Sequence, residues 1–506
     1  MKYAIAVIDI GMTNKKVAVY SENLEQLAAV YKNFESVKVR SALSGEEIKA
    51  HNLEAMEEWF FEQIAAFAKK YPIKAISVTT HGATAVFVDS DGKICAPCLF
   101  YTHEPGEDFQ NEFYGKFGSK DELQKTTATP PLSAMINLAK GIYFLQKHFA
   151  PEFEKTETIL NLPQYFGFRL TGKKGVEGTF MGCHTYLLDP FSDGWSDVAK
   201  KLGIEKLLPG KCAPSCQLLG NLTSECAEKL GLGEDVAVTM GLHDSNASLL
   251  PYLAKNDAGD FILNSTGTWC VCMHPQKEIS FSADDIGKIV FFNRSALGDG
   301  VKTAIFLGGM ECDTYVSLFL KANGTTSFPK STREVVNAIL RENNAFILPE
   351  MVKGSGQFPD SRAGVWENGE FIALSEIQSG KRLPELFRNE EKFFAVLDLS
   401  LAIQTETALL RAGLKDGTKI FTEGGFRKNE LYNEIIASAL PKNEVYLTNI
   451  KEATAFGAAM SAAMVLEGKK ASELAPRINI EYKRVEPFEL DRYEEYKKHF
   501  FALSKK

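Results

Sequence analysis

Two stretches of the chain alternate in the same way, and they lie about half a chain apart. In the first, Ala4 to Ile10 is an unbroken apolar run apart from Asp9. It is followed by the small and polar residues Gly11 to Asn14 and by a second apolar run, Val17 to Tyr20. In the second, Phe261 to Leu263 leads into Asn264, Ser265, Thr266, Gly267 and Thr268 and then into Cys270 to Met273. Short β-forming runs around a Gly, Thr and Asn turn predict a strand, a tight turn and a strand. The small turn residues leave backbone N–H groups free to face an anion, so the pair predicts a duplicated phosphate clamp. Only the first copy carries a carboxylate, Asp9 where the second has Asn264. That asymmetry points to a nucleotide held with Mg²⁺, with Asp9 on the metal side.

Elsewhere the period alternates between that of helices and that of strands. Gly45 to Lys70 predicts a helix, Ala75 to Thr80 a buried strand ending at His81 and Gly82, and Ile136 to Phe149 a helix with Leu138, Ile142 and Leu145 near one face. Residues 151–215 are rich in Pro, Gly and aromatics and predict a loop-dominated insertion on the substrate side. Val236 to Gly241 predicts a strand delivering His243 and Asp244 to its tip, with a boundary between halves near Leu253 to Asn256. In the second half, Ala304 to Leu307 runs into Gly308 and Gly309 and a helix beginning near Glu311. Lys419 to Thr422 runs into Gly424 and Gly425 and a helix beginning near Asn429. A strand, a glycine turn and a helix N-terminus form the arrangement that admits a nucleotide close to backbone and presents it with a helix dipole. The last thirty or so residues predict a terminal helix.

With 506 residues, 45% of them hydrophobic, the chain exceeds what one core supports, and two or three α/β domains are expected. The net charge of −8 is dispersed, which leaves no footprint for nucleic acid. No apolar run reaches the length of a membrane span and no signal peptide opens the chain, so a cytoplasmic location is expected. The nine scattered cysteines, Cys95 and Cys98 included, read as reduced and mostly buried thiols.

In order along the chain, five segments resemble the FGGY carbohydrate kinases of the actin, hexokinase and Hsp70 superfamily. They are Asp9 to Lys15, Thr80 to Thr84, Gly241 to Ser245, Ser265 to Thr268, and Thr422 to Leu431 continued by Glu452 to Ala459. Phe426, Ser438 and the pair His103 and Glu104 depart from the usual pattern. The resemblance implies two ribonuclease H-like (actin-like ATPase) domains flanking a cleft, residues 1–253 with the sugar site and 254–506 with the adenosine site. It implies ATP and Mg²⁺ as cofactors and a small sugar as partner, and it requires neither nucleic acid nor membrane; a homodimer is one arrangement the chain allows. Phosphoryl transfer needs a carboxylate to take the hydroxyl proton, which assigns Asp244 as general base. His81, Gly82 and His243 are assigned to the sugar beside Asp244. Gly11, Thr13, Asn14, Lys15, Thr266, Gly267 and Thr268 are assigned to the phosphates, and Gly308, Gly309, Gly424, Gly425 and Asn429 to the nucleotide. The Thr80 to Thr84 turn is similar to that of xylulose kinases, so a ketose or deoxyketose of the xylulose, fuculose or rhamnulose type is the expected acceptor. The competing expectation is a protein of the same fold that hydrolyses ATP to change shape without phosphorylating sugar.

Overall fold

The structure, a computed structural model, describes residues 1–192, 194–255 and 259–505. Each half is built on a seven-stranded mixed sheet, and the two sheets repeat one plan. In the first half, Ala4–Ile10 pairs antiparallel with Lys15–Ser21, which pairs antiparallel with Gln26–Lys32. On its other side Ala4–Ile10 runs parallel to Ile73–Thr80, which in turn is parallel to Ala237–Thr239 and Leu242–His243. In the second half, Phe261–Thr266 pairs antiparallel with Cys270–Gln276, which continues to Gly300–Phe306 and Val290–Arg294. Its other edge is parallel to Lys419–Gly424 and then to Val445–Thr448. The central strands are buried on both faces, which explains their continuous apolar runs.

Helices cover both sheets. Leu53–Ala68 lays Met56, Phe60, Ile64 and Phe67 on the first, capped by Asn52, whose side chain accepts from Ala55 N. Glu390–Arg411 is apolar and long enough to cross a membrane but is buried in the core of the second half. Between the halves, Asp244–Lys255 packs along Ala453–Glu467, and Ala247, Leu250, Ala458 and Ala462 share one core cluster with both sheets.

Several expectations from the sequence need correction. The helix over Gly45 to Lys70 is split: Glu47–Ala50 is a strand paired with Val37–Arg40, and the helix begins at Leu53. Its first residues alternate exposed and buried, the period of a strand edge. Residues 151–215 are not mainly loop, since Thr158–Asn161 is a fully buried strand and Leu162–Thr171 a helix on the first sheet. Asp244–Lys255 ends inside the stretch Leu253 to Asn256 where the boundary is expected; Asn256 itself lies outside the described residues.

Candidate active site

Three adjacent parallel strands of the first half end at the same level, which places their polar tips together. Asp9 pairs with Thr79, Ile10 with Thr80, and His243 with Thr80. His81 and Asp244 are therefore each one residue past a paired position, and His81 N donates to Ile10 O at 3.0 Å. The crevice beyond the carboxyl ends of parallel strands is where α/β folds bind small ligands.

Asp244 is the first residue of its helix. Its Oδ1 accepts from Ser245 N at 2.6 Å and lies 3.3 Å from His243 Nε2. Burial raises its carboxyl above the ordinary range, opposed by the charge interaction with His81 and by the bonds from Ser245. Burial also pushes His81 and His243 down to about 4, so both imidazoles are neutral near pH 7. His81 Nδ1 donates to Gly82 O at 2.9 Å, and His81 Nε2 and His243 Nδ1 are both buried without a hydrogen-bond partner. Buried polar atoms left open at a strand tip are suited to sugar hydroxyls, which supply donors and acceptors in fixed directions. Gly82 lets these rings approach: a Cβ there would sit 2.9 Å from His243 Nε2 and 3.0 Å from His184 Cε1.

His184 was not foreseen from sequence, and it lies against this group. Its ring is 6.1 Å from that of His243 and 5.8 Å from Phe291 of the second half. Its φ of +45°, followed by +66° at Tyr186, places two residues with side chains in the left-handed region, strain of the kind that collects at functional sites. Of the pair His103 and Glu104, Glu104 accepts from Ala134 N at 2.9 Å, and His103 packs on Phe144 with its Nε2 buried and without a hydrogen-bond partner.

The first phosphate turn is closed by Gly11 N donating to Asn14 O at 3.0 Å, with Thr13 and Asn14 exposed. The two adjacent lysines take different partners. Lys15 gives its Nζ to Met12 O at 2.9 Å and, with Thr13, lines a cavity of about 220 Å³ beside His51 and Phe100. Lys16 is the one at Asp9: its Nζ lies 3.0 Å from Asp9 Oδ2 and 2.5 Å from Glu452 Oε2. Both are buried, on opposite faces of the strand. Burial raises the Asp9 carboxyl, Lys16 lowers it, and the nearby Asp244 raises it again. Two partly exposed carboxylates that repel each other form a set of hard oxygen donors suited to Mg²⁺. Asn264, the counterpart of Asp9, is instead fully buried, taking its Nδ2 to Tyr432 Oη at 3.4 Å.

In the second half a cavity of about 780 Å³ is lined by Thr266, Gly267, Thr268, Gly309, Gly425 and Asn429, among others. Thr266 Oγ1 donates to Glu423 O and accepts from Phe426 N at 3.0 Å, joining the second turn to the glycine turn. Met310 N donates to Thr268 O, so the start of Gly308–Asn323 abuts the same turn. Asn429 caps the helix Glu430–Ala439 through Tyr432 N and gives its Nδ2 to Asp398 Oδ1 at 2.6 Å. Phe426 also lines the cavity and packs edge-on against Tyr432. Gly308 and Gly424 do not line it. A Cβ on Gly308 would lie 2.6 Å from Cys270 Sγ, and one on Gly424, at φ +81°, would lie 2.0 Å from Thr266 O, so these two glycines permit packing of the strand ends.

Two ribonuclease H-like sheets, each carrying a hairpin of the same plan beside a parallel strand, define an actin-like ATPase fold. The comparisons give the family. Residues 4–251 match the N-terminal domain of the FGGY family of carbohydrate kinases, and residues 258–471 match the carbohydrate kinase FGGY C-terminal domain. The chain belongs to the FGGY family of carbohydrate kinases. It is 26% identical over 196 residues to a rhamnulokinase of Halalkalibacterium halodurans, covering 38% of this chain and 40% of that one. It is 24% identical over 281 residues to an L-fuculokinase of Salmonella typhi, covering 53% and 56%. The chain thus spans about half the length of these two curated relatives. A carbohydrate kinase from Novosphingobium aromaticivorans superposes with a TM-score of 0.76 at 24% identity, over 99% of this chain and 98% of that one.

Proposed function

We propose that the protein transfers the γ-phosphoryl group of ATP to a hydroxyl of a ketose or deoxyketose of the rhamnulose, fuculose or xylulose type. The observation that carries this reading is the convergence of Asp244, His81 and His243 at one level of the first sheet, with two buried imidazole nitrogens left open beside a half-buried carboxylate. The names of the rhamnulokinase and L-fuculokinase relatives support a deoxyketose within that class. The division of labour follows the two halves: residues 1–253 hold the acceptor, the first phosphate turn and the base, and residues 254–506 hold the nucleotide.

In this reading His81 and His243 orient the acceptor, and Asp244 takes the proton of the attacking hydroxyl. A loose transition state lets that proton leave late, so a carboxylate is basic enough. The N-terminus of the helix at Asp244 adds a favourable dipole for the negative charge gathered there. Asp9 would hold Mg²⁺, which when bound neutralises charge on the phosphates. The turn Thr266 to Thr268, closed by Gly267 N donating to Trp269 O at 2.9 Å, faces the terminal phosphates, and the cavity at Gly309, Gly425 and Asn429 takes the adenosine. ADP release measured with ATP, Mg²⁺ and a panel of rhamnulose, fuculose, xylulose and glycerol tests this. Release stimulated by one ketose is expected; turnover indifferent to every sugar would favour a nucleotide-driven binding protein instead.

A further inference from the structure

The acceptor pocket holds a second chemistry that phosphoryl transfer does not use. One donor atom each of Cys183, His184 and His243 lies within 4.8 Å of the other two. A tetrahedral ion holds such donors about 3.5 Å apart, so small side-chain movements close the set around a metal. The histidines are prepared for this. His184 Nδ1 faces Ile136 O at 3.0 Å and must donate to it, which leaves the lone pair on Nε2. A ligating imidazole fixed by a carbonyl on its other nitrogen is the usual arrangement at metal sites. His243 has a buried ring nitrogen, Nδ1, with no hydrogen-bond partner. Asn137 Nδ2 donates to His184 O at 3.1 Å, so the strained segment is clamped at ring and backbone.

We infer that Cys183, His184 and His243 form a binding site for a thiophilic divalent cation of the Zn²⁺ class, distinct from the Mg²⁺ of the phosphates. Two imidazoles and a thiol favour zinc-like ions, whereas Mg²⁺ takes oxygen donors. On binding, the Cys183 S–H bond breaks, the proton leaves to solvent and a metal–sulfur bond forms; no electrons are transferred. Three protein donors leave the fourth position for water, while Asp244 Oδ1, 3.3 Å from His243 Nε2, stays on the other side of that ring. That an occupied site inhibits, by drawing His243 from the acceptor, rests on the function proposed above.

The test is a Co²⁺ titration of the full-length protein in Mg²⁺-free buffer, read by the near-ultraviolet thiolate-to-cobalt absorption band. The expected result is a saturable band at one equivalent that Cys183→Ser abolishes and Cys95→Ser retains. His184→Gln, read by the same band, serves if Cys183→Ser does not fold. No thiolate band in the wild-type protein, or a band that survives in Cys183→Ser, would overturn the assignment. This readout needs no turnover, so it stands apart from the kinase reading. In the sugar-dependent assay, Zn²⁺ should inhibit less as sugar concentration rises, and Cys183→Ser should need at least about tenfold more Zn²⁺, the lower end of what losing even an outer-shell partner of a ligand costs. Equal sensitivity of the two proteins would count against the site.

Discussion

Lys16 Nζ lies 2.5 Å from Glu452 Oε2, which ties the first hairpin of one half to the residue capping the helix Ala453–Glu467 of the other. The same ammonium is 3.0 Å from Asp9 Oδ2, so one buried cation sits between a carboxylate of each half. Glu452 holds a φ of +54° to reach it, and Tyr31 Oη also donates to Glu452, at 3.1 Å.

Removing the cation alone should be costly. Lys16→Met leaves Asp9 buried without its partner, and losing one member of a buried pair destabilises by about 3 to 5 kcal/mol. The double variant Asp9→Asn with Lys16→Met should recover much of that loss. Denaturant unfolding of the wild type, both single variants and the double variant measures the coupling; additive effects would mean that the pair contributes nothing as a pair.

The two phosphate turns should divide their work. Asp9→Asn should raise the Mg²⁺ concentration needed for half-maximal rate. Thr266→Val should raise the KM for ATP with little change in Mg²⁺ demand, because it unties the second turn from Glu423 and Phe426. Rates measured over a Mg²⁺ series at fixed ATP check this, and equal shifts in Mg²⁺ demand would contradict it.

His81→Ala should raise the KM for the accepted ketose by about 10- to 100-fold, the loss of one or two hydrogen bonds to a neutral sugar. ATP affinity measured without sugar should hardly move, since the large cavity is lined by the second half alone. An unchanged sugar KM and unchanged sugar preference would make His81 structural.

Stability should carry a signature of Asp398. Burial raises its carboxyl from 3.8 to about 8, opposed by Asn429. Between those two values the folded protein binds a proton that the unfolded chain has released, so this group's contribution to stability falls as pH rises through that window. Asp398→Asn removes the titration while keeping an oxygen for Asn429 Nδ2. Thermal unfolding should show the variant gaining on the wild type from pH 3.8 to about 8, and a pH-independent difference would contradict the assignment.

The strand tips were legible in the sequence because each is an apolar run stopped by a polar or glycine residue, a local signal that strand length preserves. Which neighbouring lysine would meet Asp9 was not. Alternation says that adjacent strand residues point opposite ways, but which way meets the other half depends on how Glu452 docks, more than four hundred residues on. Cys183 and His184 carried no signal either, as their segment has no period and its left-handed residues are not glycines. The order of strand, glycine pair and helix was legible, but Gly308 and Gly309 already open their helix, and only packing shows that Gly309 and Gly425 face the cavity while Gly308 and Gly424 make room for Cys270 and Thr266.

The central claim, that Asp244 takes the proton of a sugar hydroxyl, is tested most directly by Asp244→Asn in a single-turnover assay of phosphorylated sugar, with ATP binding measured alongside. The substitution keeps the oxygen that accepts from Ser245 N, so fold and ATP affinity should persist. Phosphorylation should fall by about 10²- to 10⁴-fold, the range for losing a general base. A folded variant that phosphorylates sugar at a near-normal rate would contradict the account.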